Sequence, residues 1–196
     1  MYKDLEENRL LNPFNKVDIL GVLVDEKPSA WIFVKFPFRR SNRQITSQEK
    51  AVKSIIRMHE KFGLHVIQGD DKILLRPTRW WMIFASRKER HVPLYVSKKI
   101  ATAKALKTAV EQKDDKQIGA LLGFPPTAID AYVDGSVLPY DQIPKSTETV
   151  TADEMKFLGH MLSRNNWQSE ISYLPRYARK IKEIAPNFYD LYLKHE

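Results

Sequence analysis

The sequence predicts an α+β fold: a small, mainly antiparallel N-terminal sheet with a covering helix over residues 1–97, followed by a helical region over residues 98–196 that can pack with the first as one unit. Three observations carry this. Up to residue 97, short runs of β-branched and aromatic residues alternate with turn residues. From Ser97 the chain shifts to alanine, lysine and leucine, which are strong helix formers. The later prolines stand where helices begin or bend.

The first expected strand is Val17 to Asp25, VDILGVLVD, joined through a Glu-Lys-Pro-Ser turn to Ala30 to Phe36, AWIFVKF, with Pro37 closing an antiparallel pair. Thr46 or Ser47 can cap a helix through EKAVKSIIRMHEKF, where Val52, Ile55, Ile56 and Met58 or His59 recur at helical spacing and Gly63 stands at the C-cap position. Leu64 to Gln68 and Lys72 to Leu75 read as a hairpin around Gly-Asp-Asp, and Trp80 to Ala85 as a further strand. Beyond Ser97, SKKIATAKALKTAVEQ is helical. Asp114 or Asp115 caps a short helix ending at Gly123, and Pro125-Pro126 opens a third, TAIDAYV, ending near Gly135. Pro139, Pro144 and STETVT form a linker. Thr151 with Glu154 is a capping box expected to open a helix through Leu162. Asn165 and Asn166 end it, and a last helical region from about Glu170 to His195 bends at Pro175 and Pro186.

At 43% hydrophobic and 11% aromatic, 196 residues can bury a core without covalent staples. The absence of cysteine excludes disulfides, thiol nucleophiles, thiolate zinc sites and cysteine-held clusters. No run approaches the roughly eighteen apolar residues of a membrane span, and MYKDLEENRLLNPF carries acids where a secretory signal is basic and then apolar, so the expectation is a cytoplasmic chain with no membrane partner. The net charge of +8 is uneven: between residues 76 and 116, 11 Lys+Arg stand against 4 Asp+Glu, whereas residues 117–196 hold 8 against 10. An anionic partner would therefore meet the middle of the chain.

That region also interleaves arginine with aromatics. Trp31 and Phe38 lead into Arg39, Arg40 and Arg43; Arg76 and Arg79 adjoin Trp80, with Arg87 and Lys88 following. Aromatic faces stack on unpaired bases while arginines hold phosphates, so the expected function is non-catalytic binding of RNA or single-stranded DNA on this sheet surface. The same pattern also describes a sheet whose aromatics face the core and whose arginines rim it.

The segment IGALLGFPPTAIDAY reads as a rigid corner between helices, with Gly123 free to adopt a positive φ, Phe124 as anchor and two prolines limiting the unfolded chain. LLGFPPTAIDAY resembles the LGYP-Cys-Cys signature of a family of archaeal and bacterial domains of unknown function. The cysteine positions of that signature fall on Thr127 and Ala128. Downstream His160 keeps the family's histidine, Ser163 and Trp167 occupy its further cysteine positions, and SEISYLPRYARKIKEIAPNFYDLY matches its helical tail, so the resemblance spans roughly residues 98–192. It implies an architecture, and implies that any metal site built from those cysteines is lost here.

For catalysis the inventory is thin. The histidines show no metal-ligand spacing, and there is no phosphate loop, dinucleotide fingerprint or nucleophile elbow, so neither cofactor nor metal is expected. The alternative function is an enzyme, or a degenerate relative of one, with a site near His160; Glu154 and Asp130 are its candidate acids. A third reading is a protein-interaction or homo-oligomeric scaffold, from the stripe Tyr173, Tyr177, Ile181, Ile184, Phe188, Tyr189, Tyr192 and Leu193.

Overall fold

The computed structural model describes residues 2–38, 42–77 and 86–194, with backbone alone at 42, 43, 75–77, 86 and 87. The fold is α+β, a small antiparallel sheet with helices on both faces. The expected strand Trp80 to Ala85 lies outside the described residues.

After a single helical turn, α1 (Lys3–Glu6), comes α2 (Pro13–Leu23), a helix where Val17 to Asp25 had been expected as a strand. Asn12 caps it by accepting the Asn15 N–H at 2.8 Å, and Pro13 takes the first helical position, where a missing N–H is harmless. Val17, Ile19, Leu20 and Val22 are at most 5% exposed. A helix buried around most of its circumference shows no apolar period, so its β-branched composition imitates a strand.

Strand β1 (Ser29–Pro37) pairs antiparallel with β4 (Ser86–Ser97), from Ser29↔Ser97 to Pro37↔Glu89. Strands β2 (His65–Gln68) and β3 (Lys72–Pro77) do not form the expected hairpin. Both pair antiparallel with the other edge of β4, at Gln68↔Leu94 and Lys72↔His91. Four steps along one strand answer three along the other, so Gly-Asp-Asp is a bulge in one edge line. Asp71 of the bulge is tied to Arg90 at 2.5 Å. Helix α3 (Asn42–Lys61) begins upstream of Thr46 and Ser47, since Arg43 and Gln44 are good helix formers. It ends as expected, at Gly63 with φ +75, where Leu64 N–H bonds to His59 O and Gly63 N–H to Glu60 O.

The alternation of β1 sends Ala30, Ile32, Val34 and Phe36 to one face, packed with Val92, Leu94 and Val96 of β4 and with residues of α2 and α3. Helix α4 (Ile100–Gln112) contacts the sheet from the other face, where Trp31, Phe33 and Tyr95 reside. Then follow α5 (Asp115–Leu121), α6 (Pro126–Val133) and a 3-10 turn at Tyr140–Gln142. The capping box is present, Thr151 accepting from Glu154 N–H and Glu154 from Thr151 N–H, but it opens only α7 (Ala152–Met155) and not a helix to Leu162. Tertiary bonds redirect the chain there: Tyr192 Oη donates to Lys156 O at 2.8 Å and Lys156 Nζ to Leu193 O at 2.6 Å.

The tail is broken at its prolines into α8 (Trp167–Ile171), α9 (Leu174–Ile184) and α10 (Pro186–Lys194). Its aromatic stripe is used within the chain: Tyr177, Ile181, Phe188 and Tyr192 join one core cluster with Leu5, Leu20, Ile32 and Leu94, so residues from both sides of position 97 share it. Among the described residues no helix is long and apolar enough to cross a membrane.

The approach of α9 to α2 explains a helix-interior glycine. Tyr177 Oη donates to Val17 O at 2.9 Å, and a Cβ on Gly21 would lie 2.5 Å from that oxygen. Alanine is the better helix former by about 1 kcal/mol, yet Gly21→Ala is expected to lower stability by about 1–3 kcal/mol through overpacking. Urea denaturation measures this, and an unchanged midpoint would mean that Tyr177 moves aside without cost.

Candidate functional site

Of the basic and aromatic residues singled out in the sequence, Trp31, Phe38 and Lys88 have described side chains. Trp31 is half-buried, tilted on Phe33 at 5.1 Å and stacked on Tyr95 at 6.2 Å, and its indole nitrogen is buried without a hydrogen-bond partner. Its ring packs on Phe33 and Tyr95 along the sheet. Phe38, by contrast, is held to β4 by its N–H bond to Lys88 O at 2.9 Å, and Lys88 Nζ stands 5.9 Å from its ring centre. Arg43 lies in α3, Arg76 in β3 and Arg87 in β4. Arg39, Arg40, Arg79 and Trp80 lie outside the described residues. Register places Arg76 directly opposite Arg87 and Leu75 opposite Lys88, beyond the last β1 pair at Pro37↔Glu89. Among the described residues, this end of the sheet is the β3–β4 ribbon.

The second candidate region is built round LGFPP. Asp114 accepts the Gln117 N–H at 2.9 Å to start α5, and the helix ends at Gly123, φ +79, where Phe124 N–H bonds to Gly119 O at 3.0 Å. A positive φ and a Cβ position 2.7 Å from Pro28 Cδ both require glycine there. Pro125 precedes α6 and Pro126 opens it, so the corner is stiff and presents Phe124 inward. Phe124 stacks on His160 at 5.3 Å, and His160 on Tyr173 at 6.1 Å. Lys27, paired with Asp18, has its ammonium 5.6 Å from the Phe124 ring centre. Burial lowers the His160 imidazole to about 4, with Lys27 pushing the same way and Glu170 opposing, so it is neutral at pH 7. Burial likewise raises the Tyr173 phenol.

The acids expected beside His160 are elsewhere: Glu154 serves the α7 cap, and exposed Asp130 pairs with Lys116 at 3.1 Å. The structure instead brings Glu170 near it. This carboxylate is 2% exposed and accepts three hydrogen bonds, from Thr127 Oγ1 at 2.6 Å, Ser163 Oγ at 2.6 Å and Ser163 N–H at 2.8 Å. Sequence reasoning missed Glu170. Its signal was that it is the sole acid between Glu154 and Glu183. Thr127 and Ser163, two of the positions where the resemblance places cysteine, converge on this one carboxylate.

Phe124 lines two cavities. One, of about 310 Å³, is lined by Glu26, Lys27, Tyr173 and Arg176. Its charges are already matched: Glu26 pairs with Arg176 at 2.8 Å and with Lys180 at 2.6 Å, and those two partners hold its carboxyl below the usual range against the effect of burial. The other, of about 300 Å³, is walled by Ile118, Leu122, Phe124 and Ile129, and both Trp31 and His160 line it. Among the described residues no three His, Asp or Glu side chains are placed to hold a metal ion. Comparison with protein-family models, with curated proteins and with solved structures found no match.

Proposed function

We propose that this chain binds RNA or single-stranded DNA through the basic ribbon of β3 and β4. The pairing Arg76↔Arg87 carries the reading. Like charges directly opposite across a ladder destabilise a sheet, and an anion between the strands offsets that cost. Lys88 adjoins this pair, Arg79 and Trp80 follow β3 in sequence, and residues 76–116 hold 11 Lys+Arg against 4 Asp+Glu. Arg90, held by Asp71, is not counted among the phosphate-binding groups. A cytoplasmic location fits this partner.

The test is anisotropy of labelled single-stranded RNA, single-stranded DNA and duplex DNA over a salt series. Arg76→Glu/Arg87→Glu is expected to weaken single-strand binding by about tenfold or more and to flatten the salt slope by about one for each phosphate that is no longer neutralised. The pair Arg39→Glu/Arg40→Glu measures whether the binding surface extends past Phe38. Absence of salt-sensitive binding at low ionic strength would sink the reading.

A further inference from the structure

We infer that the cavity between the LGFPP corner and β1 binds a small, neutral heteroaromatic molecule through the Trp31 indole N–H and His160 Nε2. Both nitrogens are buried and have no hydrogen-bond partner in the protein, and both belong to side chains lining this one cavity. Buried polar atoms are nearly always paired, so two orphans on side chains that line one cavity call for a partner from outside the chain.

The walls define that partner. Ile118, Leu122, Ile129 and the Phe124 ring present carbon, which suits an apolar body. At about 300 Å³ the space exceeds what a single bridging water fills and lies at the small end of ligand sites, a size for one or two fused rings. Aromatic walls favour a flat molecule: Phe124 continues into the stack with His160 and Tyr173, and Trp31 into the stack with Tyr95. An indole nitrogen only donates, so the ligand must carry an acceptor, a ring nitrogen or a carbonyl oxygen. Neutral imidazole either donates or accepts at Nε2 and adapts to its second polar atom. The one charged side chain among the lining residues is Asp115, which is exposed and sits at the first position of α5, where a carboxylate complements the helix terminus. Lys27 is committed to Asp18. The interior thus offers no free charge for an ion, and the ligand is neutral.

The experiment is saturation-transfer NMR followed by titration calorimetry on the intact chain, with purine and isoquinoline as acceptor-bearing probes and benzene as an apolar control. Purine or isoquinoline is expected to bind at least tenfold more tightly than benzene. Met161→Trp, at a half-exposed lining position, should abolish all binding with the fold retained. Trp31→Phe and His160→Phe, which keep the ring contacts, should weaken the acceptor-bearing probes at least fivefold and leave benzene unchanged. No saturation transfer at millimolar probe overturns the inference. So does equal affinity for benzene and purine, or purine binding that neither Trp31→Phe nor Met161→Trp reduces. None of these arms involves nucleic acid, so the inference and the ribbon reading fail independently.

Discussion

Glu170→Leu is expected to destabilise the chain by about 3–5 kcal/mol, because each of the two buried Ser163 donors left without an acceptor costs about 1–3 kcal/mol, the part-buried Thr127 hydroxyl loses its partner as well, and leucine restores only part of the packing. The carboxylate joins three separate segments: Thr127 at the start of α6, Ser163 in the irregular stretch after α7, and its own helix α8. Ser163 is also bridged to Val137 and accepts the Asn166 N–H at 3.0 Å, so losing Glu170 loosens the whole turn that carries His160. Glu170→Gln keeps one carbonyl oxygen for the two hydroxyls but turns an amide toward the Ser163 N–H, and should cost less, about 1–2 kcal/mol. Urea denaturation of the three proteins checks the order. A loss of about 3 kcal/mol corresponds to about 6–12 °C in Tm at this chain length. A Glu170→Leu protein within about 1 kcal/mol of the parent would show that the three donors find other partners or water.

How far these features could be read from the sequence depends on the range of the interaction that makes them. The capping box at Thr151, the Asp114 cap and the positive-φ glycines at 63, 123 and 135 are made by neighbours within about six residues, and each was legible. Helix α2 was not, since burial on nearly every side erases the 3.6-residue period and leaves only the β-branched composition in view. Asn12-Pro13, a cap residue before a first-turn proline, was the local signal that outweighed it. The line of β2 and β3 along β4 is a tertiary register, and Gly-Asp-Asp supplies equally good chemistry for a turn or a bulge. Trp31 met the same limit. Period-two alternation says that Trp31 and Phe33 share a face, but only the passage of α4 and the LGFPP corner over that face decides that Trp31 ends against a cavity. The acidic neighbour of His160 was not legible, because the chain between Phe157 and Asn166 follows no regular period that would project Glu170 toward it.

The same burial that keeps His160 neutral makes stability depend on pH. An unfolded histidine takes up its proton near pH 6.5, whereas the folded imidazole does so only near about 4. Between these values the unfolded chain holds more protons, so stability falls as pH falls through the window, is unaffected by this group above it, and loses nothing further below it. The groups facing the imidazole are Lys27, whose charge deepens the depression, and Glu170, which limits it; Phe124 and Tyr173 both stack on its ring. The resulting loss is about 2–3 kcal/mol between pH 7 and 4. His59, buried with its Nδ1 2.7 Å from Ile55 O and its pKa lowered chiefly by burial, acts in the same direction. The assignment therefore rests on a difference: His160→Phe preserves the stack with Phe124 and Tyr173, retains the His59 contribution, and should lose about 2 kcal/mol less than the parent over that pH range. Denaturation midpoints at pH 7, 5.5 and 4.5 measure it. Parallel losses in the two proteins would mean that His160 protonates in the fold as freely as in water, and that the stack between Phe124 and Tyr173 opens to solvent.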